Sequence, residues 1–180
     1  MMIKWTFLAV AAGFLIDLLI GDPRWLYHPI RLIGNLIAVL EKGLRRIFPD
    51  TRAGERTAGF FLVILVTAVS AIVPFAILYG AFYLNLWLGF AVEALMCYQI
   101  LATRALRDES MKVYQALKTK DLDQSRKAVS MIVGRDTQNL SEAGVTKAAV
   151  ETVAENASDG VIAAEFYLMI GGPVLGFAYK

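Results

Sequence analysis

Apolar residues fill long runs of this chain almost without interruption, and between the runs they recur at helical spacing among polar neighbours. The first run, IKWTFLAVAAGFLIDLLIG over 3–21, has Lys4 at its start and Asp17 near its end. The hydrocarbon core of a bilayer takes about 20 mostly apolar helical residues, so this pattern predicts a spanning helix. The run over 59–102 is two spans in length, expected over 59–79 and 84–102, with YGAFYLN supplying glycine, asparagine and interfacial tyrosines for a tight turn. A last run over 161–179, VIAAEFYLMIGGPVLGFAY, is interrupted by Glu165 and by Gly171, Gly172 and Pro173. It leaves a full span, a half-span and a re-entrant segment open.

The polar segments, 22–58 and 103–160, read as helical too. Over 29–48, Ile33, Leu36, Ile37, Leu40, Leu44, Ile47 and Phe48 repeat at helical spacing, with Arg31, Asn35, Lys42, Arg45 and Arg46 on the other side. Such a helix lies on the membrane or on the protein's own bundle. In the second segment, a polar helix around RDESMKVYQALKTK is followed by Asp121 as N-cap of LDQSRKAVSMIVG, which Gly134 is expected to close. Ser141 is expected to cap EAGVTKAAVETVAENA. No period-two pattern lasts long enough for a strand. The predicted fold is all-α: a single polytopic membrane helical bundle over 1–180 with a helical cytoplasmic segment.

Composition agrees. With 57% hydrophobic and 19% charged residues and a mean hydropathy of +0.55, the chain is too apolar for an average soluble domain. The first run lacks a small-x-small cleavage site and is read as retained. The single cysteine, Cys97, excludes an internal disulfide and a multi-cysteine metal site, and reads as a small buried hydrophobe. A net charge of +2 says little, but its distribution says more. Lysines and arginines crowd 24–56 and 104–147 and are absent between the second and third spans, which places both polar segments on the cytoplasmic side of an inner membrane and the N-terminus opposite. Nucleic-acid binding has no support in this distribution. Membrane lipid is an implied partner, and a homo-oligomer is left open.

Candidate chemistry gathers in three places. Lys147, Glu151, Glu155 and Asp159 recur every four residues on one helix, with Asn156 beside them. Acids at a helix C-terminus oppose the macrodipole, and beside an apolar run they are expensive unless neutralised. Their oxygens suit magnesium shared with substrate phosphates, against the plainer reading of a solvated acidic helix end. Next, in DLLIGDPRWLYHPIR, Asp17 and Asp22 flank Gly21, and Pro23 and Pro29 fix a short loop that presents Arg24, His28 and Arg31. The arginines are suited to gripping phosphate or carboxylate, and His28 to moving a proton near neutral pH or simply to hydrogen bonding. Third, GRDTQNLSEAG sets Arg135 and Asp136 ahead of a helix N-terminus, a setting for an anion or for ordinary turn chemistry. No P-loop, dinucleotide fingerprint, HExxH or Cys/His metal cluster occurs.

DLLIGDPRWLYHPIRLIG, IVGRDTQNLS and AAVETVAENASDGVIA, in this order with apolar spans between them, resemble the adenosylcobinamide-phosphate synthase family of cobalamin biosynthesis. The resemblance implies a polytopic inner-membrane ligase that joins a propionate carboxyl of adenosylcobyric acid to aminopropanol or, more usually, its phosphate, driven by ATP. Position by position it falls on Asp17, Gly21, Asp22, Pro23, His28, Pro29, Arg31 and Gly34, then Arg135, Asp136 and Thr137, then Glu151, Glu155, Asn156, Ser158, Asp159 and Gly160. It implies Mg²⁺ on Glu151, Glu155 and Asp159, phosphate or substrate on Arg24, Arg31, Arg135, Asp136, Thr137, Asn156 and Ser158, and proton transfer by His28 or a carboxylate such as Asp22, Glu155 or Asp159. Two departures stand out. Ala164 and Glu165 replace the family's proline and aliphatic residue, and family members continue well past a Tyr-Lys pair such as Tyr179–Lys180. The rival readings are a transporter with Asp17, Glu93 and Glu165 along a membrane path, and a non-catalytic membrane subunit.

Overall fold

The computed structural model describes residues 2–23, 25–134 and 136–180, and every regular element in them is helical. Helices α1 (Met2–Ile20), α3 (Arg52–Leu84) and α4 (Leu86–Ile100) form an apolar bundle, with α2 (Pro29–Ile47) laid along α3. Helices α5 (Thr103–Lys118), α6 (Leu122–Ser130) and α7 (Glu142–Asn156) form a polar cap. One π-helical turn (Ala157–Ile162) carries α7 directly into α8 (Ala163–Tyr179). By length and composition the helical stretches Arg52–Leu84, Leu86–Lys118 and Glu142–Tyr179 could cross a bilayer, though the last is broken at Gly171 and Gly172, and Trp5–Ile20 is a shorter apolar helix.

At the centre, α4 packs against α1, α3 and α8. Trp5 meets Trp87 and Phe90 edge to face at 5.9 and 5.8 Å at one end of α1, and Asp17 meets Thr103 at the other, so α1 and α4 run parallel. Gly13 lets them close: a Cβ there would lie 2.7 Å from Cys97 Cβ and 2.9 Å from the Ala94 carbonyl oxygen. Cys97 is buried beneath it, the small core hydrophobe expected. Val10, Leu78, Ile100 and Leu168 complete this core, while Val113, Val129, Val145 and Ala148 build a separate one in the cap.

The helix ends follow local hydrogen-bond chemistry. Asp121 and Ser141 cap α6 and α7, accepting from the Gln124 and Gly144 N–H groups at 2.9 and 3.2 Å. The α3–α4 reversal is tighter than YGAFYLN suggested. Helix α3 runs on to Leu84, and Asn85 Oδ1 accepts from the Trp87 and Leu88 N–H groups to start α4 at once. Helix α6 ends at Ser130 rather than at Gly134, because Ile132 and Val133 leave it to pack on the cap core. The amphipathic α2 rests on the bundle: Phe48 stacks on Phe61, and Leu32, Ile33 and Leu36 face α3 across a cavity of about 390 Å³. Pro74, within α3, has no N–H to give the Ser70 carbonyl, and the buried Ser70 hydroxyl on this cavity has no hydrogen-bond partner among the described residues.

Helix α8 is a hairpin. Gly171 (φ −138°, ψ 21°) and Gly172 (φ 60°, ψ −157°) break it, and Pro173 starts the return. The angles of Gly172 lie where essentially only glycine is free of strain. A Cβ on Gly176 would press on Leu168, Tyr167 stacks on Tyr179 with ring centroids 4.6 Å apart, and the Tyr179 hydroxyl donates to the Asp159 carbonyl at 3.1 Å. The apolar arm over 161–170 is about 15 Å long at 1.5 Å per residue, half a bilayer core, and the second arm brings the chain back to the level at which it entered. The tip lies against Glu93 of α4 and Thr6 of α1.

Candidate functional site

The polar end is built on the last turn of α1. Asp17, 1% exposed, accepts a hydrogen bond from the Thr103 backbone N–H at 2.8 Å and so caps α5 from another helix. The α1 carbonyls are satisfied from the same side: Tyr98 donates to Gly21 at 2.6 Å, and Arg104 donates to Leu18 and Leu19. Asp17 is therefore a structural acid. It anchors the loop that follows, in which Asp22 is exposed and Arg24 lies outside the described residues.

His28 is the N-cap of α2. Its Nδ1 accepts from the Ile30 N–H at 3.2 Å, so the neutral ring carries its proton on Nε2 and offers a donor there. Burial lowers its pKa below the ordinary value; Asp22 opposes the shift, and the charges of Lys180 and Arg31 add to it. The first motif and the chain's return from the α8 hairpin are thus neighbours.

The third motif lies where α7 passes into the π turn. Glu151, Glu155, Asn156, Ser158 and Asp159 are all exposed. One argument made for these acids from sequence changes accordingly. No helix ends at Asn156, since the backbone stays helical through the π turn into α8, so the macrodipole is not against them. All of them are open at the surface, beside the exposed apolar Ile162 and Phe166. Glu151 is drawn to Lys147 at 3.7 Å, whereas no cation among the described residues pairs with Glu155 or Asp159. Across the π turn, Tyr179 holds the Asp159 carbonyl, and Lys180 Nζ donates to the Gly160 carbonyl at 3.3 Å.

Among the described residues, no three His, Cys, Asp or Glu side chains converge in a preformed metal cluster. The observation that bears on magnesium is the pair Glu155 and Asp159, both exposed and neither with a cationic partner among the described residues. Magnesium characteristically takes one or two carboxylates, several waters and substrate phosphates, and this pair fits that habit; Glu151 fits less well.

The second motif serves its own neighbourhood. Asp136 Oδ1 accepts from the Gln138 N–H at 2.9 Å, a local turn, and the buried Thr137 hydroxyl donates to the Arg126 carbonyl at 3.2 Å. Arg126 in turn donates to the Leu140 carbonyl at 2.8 Å. The groove beside Asp136 and Thr137 is lined by α6 and by this loop, with no residue of the first or third motif. Arg135 lies outside the described residues. The residues that sequence reasoning missed are Tyr179, Lys180 and the π turn itself; the signal for the first two was the Gly171–Gly172–Pro173 break, which allows the chain to return.

A helical bundle of bilayer-crossing length, with exposed carboxylates, a histidine and a lysine toward one polar end, is the architecture of a membrane protein. The family model described as CobD/Cbib protein matches residues 10–180, and the chain belongs to that family. It is 47% identical over 171 residues to the protein of Geobacter metallireducens named Cobalamin biosynthesis protein CobD, covering 95% of this chain and 52% of that one. Proteins of the same name from Pelobacter propionicus and Photorhabdus laumondii are 45% and 43% identical, over 95% and 97% of this chain and 52% and 54% of their own lengths. The chain spans about half the length of the curated relatives it matches. No solved structure matches it.

Proposed function

We propose that the chain acts in cobalamin biosynthesis and supplies the polar site of an ATP-dependent ligase, on the cytoplasmic side of the inner membrane. The reaction joins a propionate carboxyl of adenosylcobyric acid to aminopropanol or aminopropanol phosphate, giving adenosylcobinamide or its phosphate. The observation that supports this reading is the return of the α8 hairpin, which sets Lys180 against Gly160 of the third motif, with its charge acting on His28 of the first.

In this reading Glu155 and Asp159 hold Mg²⁺, which when bound lends positive charge to the transferring phosphoryl oxygens. Arg31 grips phosphate with its fork of donors, and Asn156 and Ser158 offer further polar contacts on the acid-bearing stretch. Arg24 and Arg135, outside the described residues, keep the phosphate role that the sequence reading gives them. A propionate oxygen attacks the γ-phosphorus and ADP departs; the amine nitrogen then attacks the acyl carbon and phosphate departs with the former carboxyl oxygen. The proton released by the amine passes to a carboxylate, for which Asp22 is placed near His28. His28 serves as a donor from Nε2, because accepting a proton at Nδ1 would release the cap of α2.

The test incubates a full-length relative, and this chain beside it, with Mg²⁺-ATP, adenosylcobyric acid and each amine. ATP consumption that requires both acceptors is the expected result. Flux across liposomes without ATP and without amide formation would overturn it in favour of a transporter.

A further inference from the structure

We propose that the crevice between α2 and α3 is the seat of an apolar helix from the half of the family chain that lies outside the stretch shared with this one, and that this helix answers Ser70 and Gln99 with a polar side chain of its own. The crevice holds that helix whatever reaction the polar end performs. Its volume is about 390 Å³, and Leu32, Ile33 and Leu36 of α2 face Val69, Val73 and Ile77 of α3 across it. Packed interiors leave few voids larger than a water molecule, so a space of this size between two helices is unfinished packing. The crevice is open at the side: Leu32 and Val73, on opposite walls, are 58% and 50% exposed. Helix α2 has the same need of cover, because its pattern is amphipathic and yet none of its residues is buried.

Lipid tails would cover the apolar walls but leave the polar groups between them unanswered. The Ser70 hydroxyl is buried without a partner, the Ser70 carbonyl receives nothing from Pro74, and the Gln99 amide on the same crevice forms no hydrogen bond, all among the described residues. Hydrocarbon offers such groups no partner, whereas helices inside a membrane associate through close packing and through hydrogen bonds between side chains of this kind. The relatives point to the source of the helix. The stretch they share with this chain is 52–54% of their own length, which leaves nearly half of each to be placed. Phe177, close to the end of the shared stretch, is itself a wall of the crevice, so chain that follows the position of Lys180 in a relative sets out from the crevice's edge. A tether this short gives the helix a high effective concentration at its seat, an advantage that a second copy lacks.

The Geobacter metallireducens relative is expressed whole in a bacterial membrane with a benzophenone amino acid at the position matching Leu32 or at that matching Val73. It is illuminated, run as a monomer on a denaturing gel, digested and read by mass spectrometry. Joining of either probe to a peptide of the same chain outside the shared stretch is the expected result. Val73→Trp, made at the matching position, fills the crevice and is expected to lower the yield from the Leu32 probe about tenfold or more, as overpacking does. Tyr83→Trp, at the far end of α3, should leave that yield unchanged. Gel filtration in detergent checks that each variant is folded, and the two unsubstituted probe proteins decide the matter by themselves. Adducts of both probes with phospholipid alone, with a second chain alone, or with nothing outside the shared stretch overturn the proposal. So does a Leu32-probe yield that a folded Val73→Trp protein leaves unchanged.

Discussion

Two sets of acids lie in this chain, and they do opposite things. Asp17 and Glu93 are buried, 1% and 5% exposed, and each is taken up by a neighbouring helix: Asp17 by the Thr103 N–H, Glu93 by the Thr6 side chain. Glu155 and Asp159 are exposed and have no cationic partner among the described residues. An acid inside a membrane protein is a functional candidate by default, but here burial marks the acids that hold the bundle together. The acids we propose for a ligand are the exposed ones on α7 and the π turn, a kind of irregularity frequent at functional sites.

The comparison breaks most visibly if the exposed acids are removed. Changing Glu155 to Gln and Asp159 to Asn together, at the matching positions of a full-length relative, is expected to lower ATP-dependent amide formation by about a hundredfold or more, as loss of a group that stabilises transition-state charge does. The melting temperature of the present chain carrying the same changes should barely move. Undiminished amide formation would end the assignment of these two residues.

The buried set gives the reverse signature. Asp17→Ala leaves the Thr103 N–H buried without an acceptor and should destabilise the chain by about 2 kcal/mol, read from denaturation in detergent. Asp17→Asn, whose carbonyl still accepts, should recover most of the loss. Gly172→Ala forces an alanine into a conformation that strains it by about 1–3 kcal/mol, and should loosen the hairpin so that Lys180 no longer reaches Gly160.

His28 lies between the two sets, structural through Nδ1 and available through Nε2. Its pKa is lowered in the folded chain, so the stability it confers is complete above its ordinary value of 6.5 and declines as pH falls from there through the lowered folded value. His28→Asn, which keeps a capping oxygen, is expected to retain α2 and lose this part of the pH dependence; His28→Ala should cost about 1 kcal/mol as well. Melts between pH 5 and 8 distinguish the variants. The smallest effect is expected at Ser70, whose hydroxyl has no hydrogen-bond partner among the described residues: Ser70→Ala should be neutral or slightly stabilising in the same assay.

Much of the fold was legible because it rests on apolar period and local capping. Asp121 and Ser141 cap the helices they precede, and α1, α3 and α4 occupy the apolar runs. What escaped the sequence was decided by contacts between distant segments. Helix α6 ends early because a core formed with α5 and α7 recruits Ile132 and Val133. Asp17 becomes a cap only when α5 comes beside it, and Lys180 joins the site only because two glycines and a proline reverse the chain. The acidic row was found from its four-residue spacing, which the helix through α7 and into the π turn carries.

The account depends on the α8 hairpin returning to the face it left. In a Cys97→Ser background, Asp159→Cys, Lys180→Cys and Tyr83→Cys variants in sealed, oriented vesicles are treated with a membrane-impermeant maleimide. Labelling of positions 159 and 180 from one side, and of position 83 from the other, is the predicted result. Labelling of 159 and 180 from opposite sides would mean that α8 crosses the bilayer, and would separate Lys180 from the π turn and His28.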